Sequence, residues 1–259
     1  NEIDDKYIKW LSDFAPIFRN LLTSTGSVVI ELGNTWEKNK PFMSLTIYKA
    51  LMTFLENGKF NFCQEFINYN PTSLPSPIHW VNIEKIRVKD SFTRIWWMSK
   101  NQKTKANNRR ILVPYSDAMR KLLNSQSYNS GKRPSQYTIG EKSFLKDNGG
   151  AIPPNIFNGS QKFNNFLTVK PTFHNSYNQV CRLAKIKVHP ARMSPVIPEF
   201  FIKFLTNEKD IVLDPFAGSN TTGNVAEILK RKWLSVEKDE TFASSSIVKF
   251  NNIQHMKKN

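Results

Sequence analysis

Ten residues constrain this chain more than any others: Asp214-Pro-Phe-Ala-Gly-Ser-Asn-Thr-Thr-Gly223. A short β-branched run, Ile211-Val-Leu213, leads into them. A helix with Val225, Ile228 and Leu229 on one face follows, and Trp233 to Val236 reads as a second strand. Strand, helix and strand in that order make a βαβ unit, because two parallel strands need a crossover. The turn then lies at the carboxyl end of a parallel strand, where α/β sheets bind ligands. Gly218 has no side chain, so a ligand can approach its backbone closely. Ser219, Thr221 and Thr222 offer hydroxyls beside the unpaired N–H groups of a helix start. Glu237 lies 23 positions after Asp214, at the end of the second strand. An acid there accepts the hydroxyls of a ribose.

These features describe a nucleoside-containing cofactor. The chain has no GxGxxG, which argues against a dinucleotide, and no GxxxxGK[ST], which excludes a phosphate-cradling ATPase loop. Asp214 at the start of the loop would repel a pyrophosphate. It suits a cofactor with a cationic amino-acid tail, such as S-adenosylmethionine.

The rest of the chain reads as α/β. Tyr7, Trp10, Leu11, Phe14, Ile17, Phe18, Leu21 and Leu22 recur at helical spacing. Ser27 to Gly33 reads as a buried strand, Leu45 to Leu55 as a helix, and Asn61 to Asn70 and Arg87 to Lys100 as strands. That alternation predicts a mainly parallel sheet with helices outside. Trp96 and Trp97 adjoin on a strand, so one faces each side: one is core, and the other is a candidate for the border of a pocket. Tyr7 and Trp10 are expected in the core. Near the other end, Glu199 to Leu205 reads as a helix led by Pro198, with Phe200/Phe204 and Phe201/Leu205 as i,i+4 pairs. The two cysteines, Cys63 and Cys181, form no CxxC or Cys/His cluster, so neither zinc nor a disulfide is suggested, and both are expected as reduced core thiols. His79, His174 and His255 read as surface or packing residues. No apolar run is long enough to span a bilayer and no leader opens the sequence, which points to a cytoplasmic protein.

Charge narrows the partner. The formal net charge is +16, which points to a polyanion, most often nucleic acid. From Lys100 to Lys146 eleven Lys/Arg face only Asp117 and Glu141, a net +9 in 47 residues. Periodicity fades there. The segment is either a solvated loop region or a surface for phosphates. Lys105, Asn107, Asn108, Arg109 and Arg110, with Lys132, Arg133 and Ser135, favour the second, because cations neutralise phosphates while Asn and Arg also read base edges.

The cofactor turn, followed by Arg231-Lys-Trp-Leu-Ser-Val-Glu237, resembles that of the amino-methylating DNA methyltransferases, the N4-cytosine and N6-adenine modification enzymes of bacteria. His189-Pro-Ala-Arg192 with Pro198-Glu-Phe-Phe201 is similar to the element that precedes this loop and lines the methionine end of the cofactor. The order of parts matches the permuted beta group, and the resemblance covers nearly all of the chain. Asn107 to Arg110, Arg133-Pro-Ser135, Asp147 to Asn155 and the Trp96-Trp97 strand look most like the N4-cytosine branch.

The resemblance implies a Rossmann-like methyltransferase sheet in permuted order with an irregular target-recognition insert. Residues 1–100 would be the catalytic half, 101–187 the target-recognition region and 188–259 the S-adenosylmethionine-binding half. It implies methylation of cytosine N4 in duplex DNA as restriction–modification protection, alongside a cognate restriction endonuclease, in a bacterial cytoplasm and on the nucleoid, without metal or membrane. N6-adenine methylation, or a cofactor- and DNA-binding subunit inactive alone, are the alternatives. Asp214, Phe216, Gly218, Ser219, Thr221, Thr222, Glu237 and His189 would bind the cofactor. The family's catalytic tetrapeptide, Ser/Asp/Asn-Pro-Pro-aromatic, is absent; the resemblance places it before Asn1, so that it is truncated from a longer chain, carried on another chain, or lost. Ile152-Pro-Pro-Asn155 lacks the flanking residues and reads as a structural loop.

Overall fold

A computed structural model describes residues 2–135, 137–140, 144–158, 181–182, 193–247 and 249–250. Its helices are α1 (Glu2–Leu21), α2 (Thr46–Gly58), α3 (Asp117–Ser125), α4 (Val196–Leu205), α5 (Thr221–Ile228) and α6 (Glu240–Ser246). Its strands are β1 (Ser27–Leu32), β2 (Asn61–Tyr69), β3 (Phe92–Ser99), β4 (Gly131–Lys132), β5 (Thr138–Ile139), β6 (Ile156–Asn158), β7 (Ile211–Asp214) and β8 (Lys232–Ser235). The periodic stretch from Tyr7 onward forms α1, with Glu2, Asp4 and Asp5 in its first turn and Arg19 in its last, as the helix dipole favours.

The main sheet has the order β1-β3-β2-β6. Strand β3 pairs antiparallel with both β1 and β2, while β6 pairs parallel with β2. This corrects the expectation of a mainly parallel sheet. Strands β1, β2 and β6 share a direction, with α2 as the crossover from β1 to β2. The connection from β2 to β3 carries just one π-helical turn, His79–Ile83, rather than a crossover helix. The chain therefore returns against its own direction and inserts β3 between the two strands it joins.

The alternation of β3 decides the layers. Trp96 and Met98 pack under α1 and α2 with Leu11, Ala15, Ile47, Ala50, Phe54 and Phe60. Ile95 faces the other way, into a cluster of Phe66, Ile111 and Phe157 with Ile197, Phe200, Phe201 and Phe204 of α4. Trp97 is drawn into that second layer. Its ring meets Phe204 edge-on at 5.1 Å and its indole N–H donates to Ser27 Oγ at 3.0 Å. The expectation that one tryptophan is core holds for Trp96, and Trp97 is partly buried against the second layer. Trp10 departs from the core expectation, being 48% exposed. Of the two thiols, Cys181 is buried and Cys63 is partly exposed.

Helix α4 has a second contact face. Its Ile202 joins Val225 and Ala226 of α5, with Val212, Ile228, Leu229 and Trp233 around them. The βαβ unit forms as expected: β7 and β8 pair in parallel from Ile211↔Lys232 to Asp214↔Ser235. The basic segment is less irregular than its composition suggests. It contains α3, capped by Ser116 Oγ accepting the Met119 N–H, and the β4–β5 hairpin. Its two flanks belong to the main body: Ile111 enters the α4 cluster, and Ala151 bridges to Val113 ahead of β6. Asn155 donates to the Glu65 carbonyl at 2.8 Å, which ties the Ile152–Asn155 loop to β2.

Trp96 is the largest fully buried side chain, and its indole also donates to Glu65 Oε1. Trp96→Ala should cost about 3–5 kcal/mol, read as a fall in the urea midpoint followed by far-ultraviolet dichroism.

Candidate functional site

The turn between β7 and α5 is built by backbone closure. The Val236 N–H donates to the Asp214 carbonyl at 2.9 Å and the Ala217 N–H to the Val236 carbonyl at 3.0 Å, so the loop stays attached to the end of β8. The backbone then bends through Gly218 at φ 50° and Asn220 at φ 54°. Glycine takes the left-handed region freely, and asparagine is the side chain that tolerates it best. Asn220 also joins the two ends of the unit. Its Oδ1 accepts the Gly223 N–H at 3.1 Å, capping α5, and the Ser235 hydroxyl at 2.7 Å. Gly223 is needed for the close fit of α5, since a Cβ there would stand 2.2 Å from Asn220 Oδ1 and 2.9 Å from the Trp233 ring.

One cleft opens over this turn, lined by Met193, Asp214, Phe216, Ala217, Gly218, Ser219, Thr221, Thr222 and Glu237. It gathers seven of the eight residues expected to bind a cofactor. The eighth, His189, lies outside the described residues with the rest of His189–Arg192, as do His174 and His255. Backbone N–H groups orient both carboxylates. Asp214 Oδ1 accepts from Phe216 at 3.1 Å, while Glu237 Oε2 accepts from Gly218 at 2.7 Å and Oε1 from Asp239 at 2.9 Å. Each carboxylate oxygen has two lone pairs, so acceptor capacity remains for ligand hydroxyls or cations. This donor set fits a ligand with a ribose and a cationic tail. Among the described residues no group of three or more His, Cys, Asp or Glu is placed to hold a metal ion.

Sequence reasoning missed three parts of the site. Met193 lines the cleft from the segment ahead of α4. Trp10 and Phe14 of α1 pack on Phe216, at centroid distances of 5.6 Å and 5.3 Å. Tyr7, one turn earlier, is held above the ordinary phenol pKa by burial, so it stays protonated at neutral pH. Lys249 lies beneath the turn, 2% exposed, with its ammonium on Ser219 and Thr221. The aromatic spacing of α1 could have disclosed Trp10 and Phe14, but nothing in the sequence marks Lys249.

The expected nucleic-acid residues divide. Asn108 and Arg109 are exposed on a 3-10 turn, and Arg109 hydrogen-bonds Asn148 Oδ1 at 3.1 Å. Lys132, Arg133 and Ser135 are exposed on the β4–β5 hairpin and its tip. Lys105 and Arg110 are partly buried and engaged within the chain, which corrects their expected role, whereas Asn107 is exposed beside the turn. Lys105 pairs with Asp210 at 2.8 Å. Asn107 caps the 3-10 turn by accepting the Arg109 N–H at 2.9 Å. Arg110 donates to the Lys203, Thr206 and Lys105 carbonyls, closing the end of α4.

A family model described as DNA methylase, of the N6/N4 type, matches residues 1–249. The chain is 41% identical over 256 residues to the type II methyltransferase M.PvuII of Proteus hauseri, across 97% of this chain and 73% of that protein. Among solved structures, the cytosine-N4-specific PvuII DNA methyltransferase matches with a TM-score of 0.72 at 32% identity, over 95% of this chain and 71% of that one. A DNA modification methylase of Thermus thermophilus, complexed with S-adenosyl-L-methionine, matches with a TM-score of 0.56 at 15% identity, over 96% of this chain and 78% of that one, a likeness of fold alone.

The Lys105–Asp210 pair generates a pH dependence. Burial works to raise the Asp210 carboxyl, but hydrogen bonds from Lys105 and Asn207 and the charges of Lys105 and Arg231 outweigh it, leaving the carboxyl below its usual range. Its contribution is therefore complete above the unfolded value of about 3.9 and is lost as pH falls through the lower folded value. Asp210→Asn should reduce stability at pH 7 by at most about 1 kcal/mol, and melting curves should show the deficit shrinking below about pH 4.

Proposed function

We propose a function from one premise: the chain belongs to the N6/N4 DNA methylase family. It is a site-specific DNA methyltransferase that uses S-adenosylmethionine to methylate the exocyclic N4 amine of cytosine in duplex DNA. Its fold is the Rossmann-like methyltransferase sheet of that family. The observation that carries the cofactor reading is the cleft in which two oriented carboxylates, three hydroxyls and the start of α5 converge.

S-adenosylmethionine supplies an electrophilic methyl group on a sulfonium. The chain's residues bind and orient it. Asp214 offers negative charge to the cationic tail, and Glu237, fixed by the Gly218 and Asp239 N–H groups, accepts the ribose hydroxyls. Phe216, steadied by Trp10 and Phe14, walls the cleft with an aromatic ring. Ser219, Thr221 and Thr222 face the cleft at the helix N-terminus, where an anionic group is favoured. A duplex hides the target amine, so the base must be flipped out to meet the methyl group. Catalysis is then mainly a matter of holding nucleophile and methyl in line.

Asn108, Arg109, Lys132, Arg133 and Ser135 face the duplex. Arg109 is the candidate reader of a base edge, because its guanidinium is exposed and its direction is set by Asn148. The residues around them, 101–187, form the target-recognition region, between a catalytic half over 1–100 and a cofactor half over 188–259. The modification protects sites from a cognate restriction endonuclease and takes place on the bacterial nucleoid.

Calorimetry with S-adenosylmethionine should give one site per chain, lost in Asp214→Ala while circular dichroism stays native. Retained affinity would overturn the cofactor assignment. Mass spectrometry of nucleosides from incubated DNA should detect N4-methylcytosine, and N6-methyladenine instead would move the acceptor to the other branch. Arg109→Ala should lower discrimination at one base pair by about 1–3 kcal/mol, measured on a panel of substituted duplexes. Arg110→Ala should leave that discrimination unchanged and lower the melting temperature.

A further inference from the structure

Lys249 is almost completely buried at 2% exposure, yet it belongs to no expected site. Its ammonium donates to Ser219 Oγ at 3.0 Å and to Thr221 Oγ1 at 2.9 Å. Its backbone is fixed as well, since the Lys249 carbonyl accepts from Asn224 Nδ2 of α5 at 3.3 Å. Burying an ammonium is costly unless polar groups compensate it, and two of its partners here line the cleft.

The hydrogen-bond accounting has a direction. An ammonium has donors only, so both hydroxyl oxygens must accept from it. Each hydroxyl's own hydrogen then points elsewhere. Ser219 Oγ and Thr221 Oγ1 stand 3.3 Å apart, so one hydrogen can run between them. The other is left to the cleft. The patch is thus a donor, polarised by a full positive charge behind it and adjacent to the first N–H groups of α5. A donor of that kind recognises an anion, and charge-assisted bonds of this sort are stronger than neutral ones. The same cleft carries Asp214 and Glu237, which recognise cations and hydroxyls. A ligand that satisfies both has a carboxylate beside an ammonium, as an amino-acid tail does.

We propose that Lys249 is a positioning residue that turns Ser219 and Thr221 into a carboxylate-reading pair, so that the site selects donors retaining the amino-acid carboxylate. This rests on the S-adenosylmethionine reading of the cleft. Lys249 acts through the two hydroxyls, without touching the ligand.

The test compares S-adenosylmethionine with decarboxylated S-adenosylmethionine, by calorimetry on the full chain and on Lys249→Met, Lys249→Arg and Ser219→Ala. The unsubstituted protein should prefer the carboxylated ligand by about tenfold or more. Lys249→Met should lose that preference by weakening the carboxylated ligand alone, and Lys249→Arg should restore most of it. Equal weakening of both ligands would reduce Lys249 to a prop for the loop and overturn the inference, as would an unchanged ratio. If Lys249→Met does not fold, Ser219→Ala decides the matter with the lysine in place: its ratio must shrink, and a constant ratio overturns the inference. Failure of the unsubstituted protein to bind either ligand would instead overturn the cofactor reading itself.

Discussion

The chain must leave β7 and start α5 within a few residues, with every buried polar group satisfied. The rest of the site follows from how it does so. Two left-handed residues, Gly218 and Asn220, fold the backbone back on itself. That bend aims the N–H of Gly218 at Glu237 and the side chain of Asn220 at both the helix start and Ser235 of β8. A loop built from backbone closures has little freedom left, and buried backbone groups tolerate no orphan donors. The functional side chains are therefore carried by a frame whose geometry does not depend on them. Asp214 and Glu237 are oriented by N–H groups of that frame before any ligand arrives.

The frame is held to the rest of the molecule at the end of α4. The Thr206 carbonyl accepts from Arg110 at 2.5 Å and from Arg231 at 2.8 Å. Cations at a helix C-terminus offset its partial negative charge. Here one comes from the basic segment and the other from the link between α5 and β8. Burial lowers the Arg231 pKa and Arg110 lowers it further, while Glu208 and Asp210 counter them. Asp210 is in turn paired with Lys105. Three stretches far apart in sequence thus meet at one helix end. On its other surfaces α4 supplies Phe200, Phe201 and Phe204 to the sheet and Ile202 to α5. The position of the cleft relative to the main sheet is set by this helix and its polar end, together with the contacts of Trp10 and Phe14 of α1 on Phe216.

The βαβ unit and its turn were legible from residues 211 to 237 because each signal there is local. A β-branched strand, a left-handed turn residue and an apolar helix face need no knowledge of the rest of the chain. The order of strands was not legible. Whether β3 runs with or against β2 depends on a connection without a crossover helix, and a strand's own side chains read the same in either direction. Lys105 and Arg110 misled for a related reason. A basic run reads the same whether its cations face solvent or cap a helix more than ninety positions away, and the sequence around Lys105 to Arg110 holds no trace of Thr206 or Asp210. Lys249 was missed because a single lysine on a helix looks like a solvated charge unless the partner that buries it is known.

Charge is divided by distance. A chain of net +16 presents a positive field to solution, which draws in a polyanion and is screened over about 10 Å at moderate salt. The cleft works at hydrogen-bond range, where Asp214 and Glu237 outweigh that distant excess and invite a cation. In the proposed reading, one small fold can bind both a cationic cofactor tail and a polyanionic duplex, with carboxylates inside the turn suited to the first and exposed Arg109, Lys132 and Arg133 suited to the second. Lys249 obeys the same rule from the other side. It is a positive charge placed under an acidic cleft, close enough to bias two hydroxyls and buried enough to add little to the field that DNA meets.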